Sequence, residues 1–361
     1  MIRLSTVIEQ FEADFLKQYQ SQLLPGHLKA LKAFKICRTT CSPVMKVQCT
    51  DCEHQTFVPH SCGHRNCPHC QHHESQQWIE RQMQKQVSAQ YFMITFTLPA
   101  QLRTLAFRNQ RQLYSALFDC VWETLQTFSH NDKQLKGDPG VIAVLHTHSR
   151  VLDFHPHIHA VMPAASVDQD KRLWRTKSGK YLFNHKALAK VFRAKMLTRL
   201  AREKLSLPKA MPNKWVVDCK RVGSGDKALI YLGRYLYRGV IREKDILSCR
   251  DGKVTYRYKD SKTKRWQSKT VSGADFLWLV LQHVLPKGFR RARNFGFLHP
   301  NSKGMIRVFQ LLHRLDPKKG LPAIRKRPVM KCPCCGSEMA VQRTRIPAIE
   351  AMTLTQMLVP T

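Results

Sequence analysis

Apolar residues recur at helical period near the start of the chain. Ile8, Phe11, Phe15, Leu16, Tyr19 and Leu23 form one stripe within residues 5–24, which predicts an amphipathic helix. Pro25-Gly26 ends it, and a second short helix is expected to run to about Ile36. Residues 37–70 lose the period and become rich in cysteine and histidine, after which a polar helix is expected from about Gln71 to Ala89. Tyr91 to Leu98, β-branched and aromatic and closed by Pro99, reads as a strand. Leu102, Leu105, Leu113, Leu117, Val121 and Leu125 recur through residues 100–130 and predict one long helix. A turn at Gly137 to Gly140 precedes a hairpin of two strands, Val141 to Ser149 and Phe154 to Met162. Residues 185–206 read as a basic helix and Trp215 to Asp218 as a short strand. Gly223-Ser-Gly225 opens another helix, with Asp226 near its start. A second hairpin over 252–272, a helix from about Ala274 to Val284 and a basic tail complete the pattern.

That order predicts an α+β fold in which helices pack on an antiparallel sheet, preceded by a small helical and zinc-knuckle domain. The boundaries fall at residues 1–89, 90–300 and 301–361, the last a basic tail with a partial zinc motif. With 361 residues and 43% hydrophobic content, the chain can bury sizeable cores. Lys and Arg number 60 against 25 Asp and Glu, a net charge of +35. Such an excess calls for a polyanion, and nucleic acid is the expected partner. No stretch approaches the roughly 20 apolar residues of a membrane-spanning helix. The N-terminal residues lack the apolar core of a signal peptide, so a cytoplasmic, nucleoid-associated protein is expected.

Candidate chemistry lies at three places. In Asp153-Phe-His-Pro-His-Ile-His-Ala-Val-Met-Pro163, alternation along a strand puts His155, His157 and His159 on one face. Clustered imidazoles repel when protonated and suit a shared divalent ion, with positions left for a phosphate oxygen. Imidazole favours Mn²⁺ over Mg²⁺, and Mg²⁺ or Mn²⁺ is the cofactor expected there. His146 and His148 share a face of the preceding strand and are candidates to support the ligands. Secondly, Tyr231 and Tyr235 are four apart, on one side of a predicted helix. Arg234 and Arg238 beside them suit a phosphate backbone. Paired phenols near a metal can cut and rejoin DNA, one holding a covalent end while the other attacks.

Thirdly, seven of the 13 cysteines lie between Cys37 and Cys70. Cys49-x₂-Cys52 and Cys67-x₂-Cys70 have the spacing of one tetrahedral zinc site. Cys37, Cys41, Cys62 and His64 are candidates for a second. Cys332-Pro-Cys-Cys335 is half a site whose partners the spacing does not name. Arg290, Arg291 and Arg293, with Arg325-Lys-Arg327, are expected to neutralise phosphate.

Several segments resemble the rolling-circle insertion-sequence transposases, members of the HUH endonuclease superfamily with paired tyrosines. They are Leu145-His-Thr, His155-Pro-His-Ile-His159, Tyr231-Leu-Gly-Arg-Tyr235, Gly252-Lys-Val-Thr-Tyr-Arg-Tyr-Lys259 and His283-Val-Leu-Pro-Lys-Gly-Phe289. Cys37-Arg-Thr, Ser61-Cys62 and Cys67-Pro-His-Cys70 match that family's zinc-binding segment. The chain departs from the family at Asn66, where a histidine is usual, and at Ala164-Ala-Ser-Val, where a glycine-rich run is usual. The resemblance implies an HUH nuclease-like catalytic domain over 90–300, His157 and His159 as the metal pair, and Tyr231 and Tyr235 as nucleophiles. It implies a 5′-phosphotyrosyl link, a free 3′-hydroxyl, and single-stranded DNA with transposon-end hairpins as partners. A plasmid rolling-circle initiator or relaxase would use the same chemistry, and a non-catalytic zinc-finger DNA-binding protein is the alternative outside catalysis.

Overall fold

In chain order the structure, a computed structural model, forms α1 (Leu4–Tyr19), α2 (Pro25–Ile36), β1 (Val44–Cys49), β2 (Gln55–Pro59), α3 (His72–Met83), β3 (Tyr91–Thr97), α4 (Arg103–Arg108), α5 (Gln110–Asn131), β4 (Asp138–His148), β5 (Phe154–Pro163), β6 (Ala165–Asp168) and β7 (Leu173–Thr176). It continues with α6 (His185–Arg202), β8 (Val216–Arg221), α7 (Asp226–Leu236), β9 (Ile246–Arg250), β10 (Lys253–Lys259), β11 (Trp266–Ser272), α8 (Gly273–Leu281), β12 (Ala292–Gly296), α9 (Lys303–Leu312) and β13 (Met339–Ile346). All residues are described except 69, 71, 169, 172, 237–238, 261–262, 317–328 and 348–361, together with the side chains of 72 and 73. Arg238 and the Arg325-Lys-Arg327 cluster therefore lie outside the described residues. The fold is α+β with antiparallel sheets.

The chain divides into two units, each assembled from separated stretches. One comprises Met1–Glu74, Tyr237–Val284 and Ala323–Thr361, and the other Ser75–Leu236 and Leu285–Pro322. The second unit holds a seven-stranded sheet in the order β7-β6-β4-β5-β3-β8, with β12 paired to β4. Alternation gives its strands two different faces. Ile94, Phe96, Leu145, Ile158 and Ala160 point to one side and bury against Leu113, Leu117 and Val121 of α5 and Leu188, Phe192 and Met196 of α6. The opposite side carries the histidines. The long helix expected over 100–130 is interrupted: α4 stops at Asn109, where φ is −121° and ψ 43°. The Asn109 side-chain amide donates to the Leu105 carbonyl at 3.1 Å, beside the Asn109 backbone N–H on the same oxygen at 3.0 Å.

In the first unit, α1 packs on α2 and α8, and the Tyr19 and Trp278 rings stack with centroids 4.8 Å apart. Pro25 is the first residue of α2, where its missing N–H costs nothing. The cysteine-rich stretch contains a β1–β2 hairpin that the lost period conceals. Residues expected in a basic tail with a partial zinc motif supply β13, which pairs antiparallel with β1 from Val44↔Ile346 to Cys49↔Met339. The hairpin over 252–272 forms as β10 and β11, with β9 as a third strand.

Candidate active site and zinc clusters

The β4–β5 register sets the histidine site. His146 lies directly opposite His157, and Val144 opposite His159. One ligand nitrogen from each of His146, His157 and His159 falls within 4.8 Å of the others. His155, expected as the third member, is not among them: its Nδ1 faces the Arg103 guanidinium at 2.9 Å. The reason is geometric. Four residues of strand span about 13 Å, whereas neighbouring strands are about 5 Å apart. A third imidazole therefore comes more easily from across the ladder than from further along it. His146 was legible only as a supporting group; the signal for it was the same-face pair His146 and His148 in the preceding strand.

The donor set fits a divalent ion. Burial, then repulsion from neighbouring imidazoles, holds His146 far below the usual histidine range. Burial is also the main cause that pushes His157 down to about 3 and His159 to about 4. All three rings are thus neutral near pH 7, the form that ligates metal. His157 Nδ1 donates to the His155 carbonyl at 2.6 Å, which leaves Nε2 with its lone pair. His146 Nε2 and His159 Nδ1 are buried without a hydrogen-bond partner, an arrangement that is costly unless something else occupies those nitrogens.

Both tyrosines come from α7. Ala228, Leu229, Leu232 and Leu236 form its buried stripe, so residues 231, 234 and 235 are turned away from that stripe. The Tyr235 ring stacks on His146 with centroids 3.3 Å apart. Its hydroxyl is 2.9 Å from His148 Nδ1 and accepts the Thr147 N–H at 3.3 Å. Tyr231 lies over His159, with ring centroids 5.8 Å apart, and is 46% exposed. Burial pushes both phenols up, opposed at Tyr235 by the Arg291 charge and at Tyr231 by Arg150. Gly233 lies between them because a Cβ there would sit 2.2 Å from Ile79 Cγ1 of α3. Ser75 Oγ donates to the Gly233 carbonyl at 2.8 Å. Gly225, at φ +89°, makes the turn into α7 where a Cβ would meet the Tyr91 ring at 2.8 Å.

The arginines divide by environment. Arg234 and Arg290 are exposed. Arg291 is buried: it donates to the carbonyls of Leu145 and Leu236 and covers the Tyr235 ring at 4.6 Å. Its guanidinium is therefore committed within the protein and not presented to phosphate as expected. Arg293 is half-buried between Asp119, Ser115 and the Phe118 ring.

The expected cysteine grouping is corrected by the structure. Cys49 and Cys52 meet Cys332 and Cys335, and Cys67 and Cys70 meet Cys37 and Cys62. The β1–β13 pairing causes this, since it carries Cys332–Cys335 to the Cys49 end of β1. Sγ separations are 3.4 Å for Cys49–Cys335, 3.6 Å for Cys52–Cys332 and 3.5 Å for Cys37–Cys70. Disulfide sulfurs would be about 2.0 Å apart. Four sulfurs around one zinc at about 2.3 Å would lie about 3.8 Å apart, so both sets match a tetrahedral thiolate site. Hydrogen bonds from the Ser337 backbone and hydroxyl draw Cys335 down to about 6, toward the thiolate that ligates zinc. Cys41 is exposed and outside both sets. His64 Nδ1 instead accepts the Asn66 N–H at 3.2 Å.

Residues 140–304 match the family described as "Putative transposase", and residues 7–98 match the transposase zinc-binding domain of the IS91 type. "Putative transposase y4qJ" of Sinorhizobium fredii (strain NBRC 101917 / NGR234) is 30% identical over 316 residues, 79% of this chain and 79% of that protein. "Transposase for insertion sequence element IS801" of Pseudomonas savastanoi pv. phaseolicola is 28% identical over 338 residues, 84% of this chain and 80% of the relative. No helix among the described residues is long and apolar enough to cross a membrane. The chain belongs to the IS801/IS91 family of insertion-sequence transposases, the rolling-circle HUH type that carries an N-terminal zinc-binding domain.

Proposed function

We propose that this transposase cleaves and rejoins single-stranded DNA at its element's ends through a phosphotyrosine intermediate. The observation that carries the reading is the pair of α7 tyrosines lying over three neutral histidines whose free nitrogens converge. A divalent ion bound by His146, His157 and His159, Mg²⁺ or Mn²⁺, would withdraw charge from a non-bridging oxygen of the scissile phosphate. Tyr231, exposed and with no hydrogen-bond partner on its hydroxyl among the described residues, is the freer nucleophile. Its Oη forms a bond to phosphorus while the bond to the 3′-oxygen breaks; the phenol proton passes to solvent and the 3′-oxygen is released as a hydroxyl. Tyr235, held against His148 and Thr147, is suited to the second attack. Arg291 over its ring opposes the cost of phenolate charge in a buried position. The two cysteine sets hold structural zinc.

The test is a suicide single-stranded substrate carrying a transposon end, followed by peptide mass spectrometry. A covalent adduct on Tyr231 or Tyr235 is expected. Tyr231→Phe/Tyr235→Phe should bind DNA and form no adduct. An adduct on another residue, or cleavage by the double variant, would sink the mechanism.

A further inference from the structure

The second unit contains a cleft of about 1190 Å³ that the histidine and tyrosine site does not use. Its walls come from α3 and the residues just after it, from α5, from the edge strand β12 and from α9. Seven cationic side chains line it, and no carboxylate does. Arg293 is paired with Asp119 at 3.6 Å, and Lys85 and Arg111 donate to the carbonyls of Leu298 and Lys287. Among the described residues, Arg81, Lys85, Arg111, Arg290, Lys303 and Arg307 have no carboxylate partner. Lys303 and Arg307 are four residues apart on α9, so that pair projects from one side of the helix. Burial is the main cause that lowers the Lys85 ammonium below its ordinary range, and the nearby Lys303 and Arg81 charges add to it.

The cleft is built rather than formed by loose surface chains. Gln310 Nε2 donates to the carbonyls of Gln84 and Gln86 at 2.9 and 2.8 Å, which joins α9 to the end of α3. Asn294 Nδ2 donates to Gln82 Oε1 at 2.7 Å, which joins β12 to the same helix. Concentrating unpaired cations around a preformed hollow is unfavourable for the protein alone. It is offset when a polyanion enters and its counterions are released. The volume exceeds the roughly 300–1,000 Å³ of a small-molecule pocket. A hollow of this size is on the scale of a few nucleotides of one strand, and the cations around it suit a sugar-phosphate backbone. The cleft is also tied to the tyrosine helix: α3 carries Arg81 toward the cleft and Ser75 and Ile79 toward Gly233.

We propose that this cleft binds the sugar-phosphate backbone of a single DNA strand, independent of base sequence, and holds the segment flanking the cleaved phosphate. The flanking role rests on the phosphotyrosine reading above; the binding does not. The full chain would be titrated with a labelled oligothymidine strand at several salt concentrations, and compared with Arg81→Gln/Lys303→Gln/Arg307→Gln. All three side chains are exposed. Lys186→Gln/Lys190→Gln/Arg202→Gln on α6, also exposed, removes equal charge elsewhere. The cleft variant should lose about tenfold or more in affinity, and the slope of log K against log salt should fall by about 2, at roughly 0.7 per lost phosphate contact. The α6 variant should keep the wild-type slope. Equal loss in both variants, or none in the cleft variant, would overturn the proposal, as would equal loss for a duplex competitor. Should the triple variant unfold at lower temperature, Arg307→Glu alone should lower the slope by about 0.7. At saturating DNA the cleft variant should still form the tyrosine adduct. An absent adduct in the wild type would remove the catalytic reading and leave the binding result standing.

Discussion

At the residue scale, the proposed chemistry turns on the distinction between His146 and His155. Both lie near His157, yet only His146 presents a nitrogen to the shared point. His146→Ala should therefore reduce DNA cleavage by about 100-fold or more, beyond the 10–100-fold that loss of an outer contact brings. His155→Ala should cost less than about 10-fold, because His157 is oriented by the His155 carbonyl and not by its ring. Single-turnover nicking with Mn²⁺ separates the two, and equal losses would return His155 to the ligand set. A second residue-level expectation concerns acid stability. Asp275 accepts from the Tyr19 hydroxyl at 2.6 Å and from Gln18 at 3.0 Å. The Tyr19 bond is the chief cause holding its carboxyl below the usual carboxylate range, against burial. A depressed folded value means the contribution is present above the unfolded pKa of about 3.9 and is lost as pH falls through the folded value. Asp275→Asn should cost less than about 1 kcal/mol at pH 7, since solvent screens the group, and less again at pH 2. Denaturant unfolding at both pH values checks this; an equal cost at both would assign the loss to packing.

At the element scale, α7 must present two phenols on one side while packing closely on the other. Gly233 makes the close packing possible: its missing side chain admits Ile79 and Trp78 of α3. Gly233→Ala should destabilise by about 1–3 kcal/mol through overpacking. It should also lower adduct yield, because either the helix or α3 must shift. Adding Ile79→Ala removes the atom met at 2.2 Å and should recover part of the adduct yield. Failure of that double variant to recover any would mean that the helix tolerates the methyl and the loss has another source.

At the scale of the whole molecule, the zinc clusters join distant stretches of chain. The set of Cys49, Cys52, Cys332 and Cys335 spans nearly the full sequence. The set of Cys37, Cys62, Cys67 and Cys70 is local by comparison. Two zinc ions per chain are therefore expected by elemental analysis. Cys332→Ser/Cys335→Ser should lose one of them and should release β13 from β1, seen as faster amide exchange over residues 44–49. Structural zinc supplies about 10 kcal/mol or more to small domains, so chelation should unfold this unit before the seven-stranded sheet. Zinc content unchanged by the double variant would remove the long-range site.

Much of this was legible along the chain. Period and strand alternation located α1, β3, the β4–β5 hairpin and α7, because each buries one face and carries that face in its own spacing. The same alternation put His157 and His159 together, and helical period put Tyr231 beside Tyr235. Charge alone pointed to nucleic acid. What the sequence could not decide was every pairing across strands or between distant segments. His146 enters the site through the register of β4 against β5, and a register is a property of two strands at once. Cys49 and Cys52 choose Cys332 and Cys335 over the nearer Cys67 and Cys70 because β13 pairs with β1. The basic cleft gathers side chains from four separate stretches, none of which is unusual alone. Local spacing determined which residues share a face; only tertiary structure decided which faces meet, since a contact at long separation leaves no period in either segment.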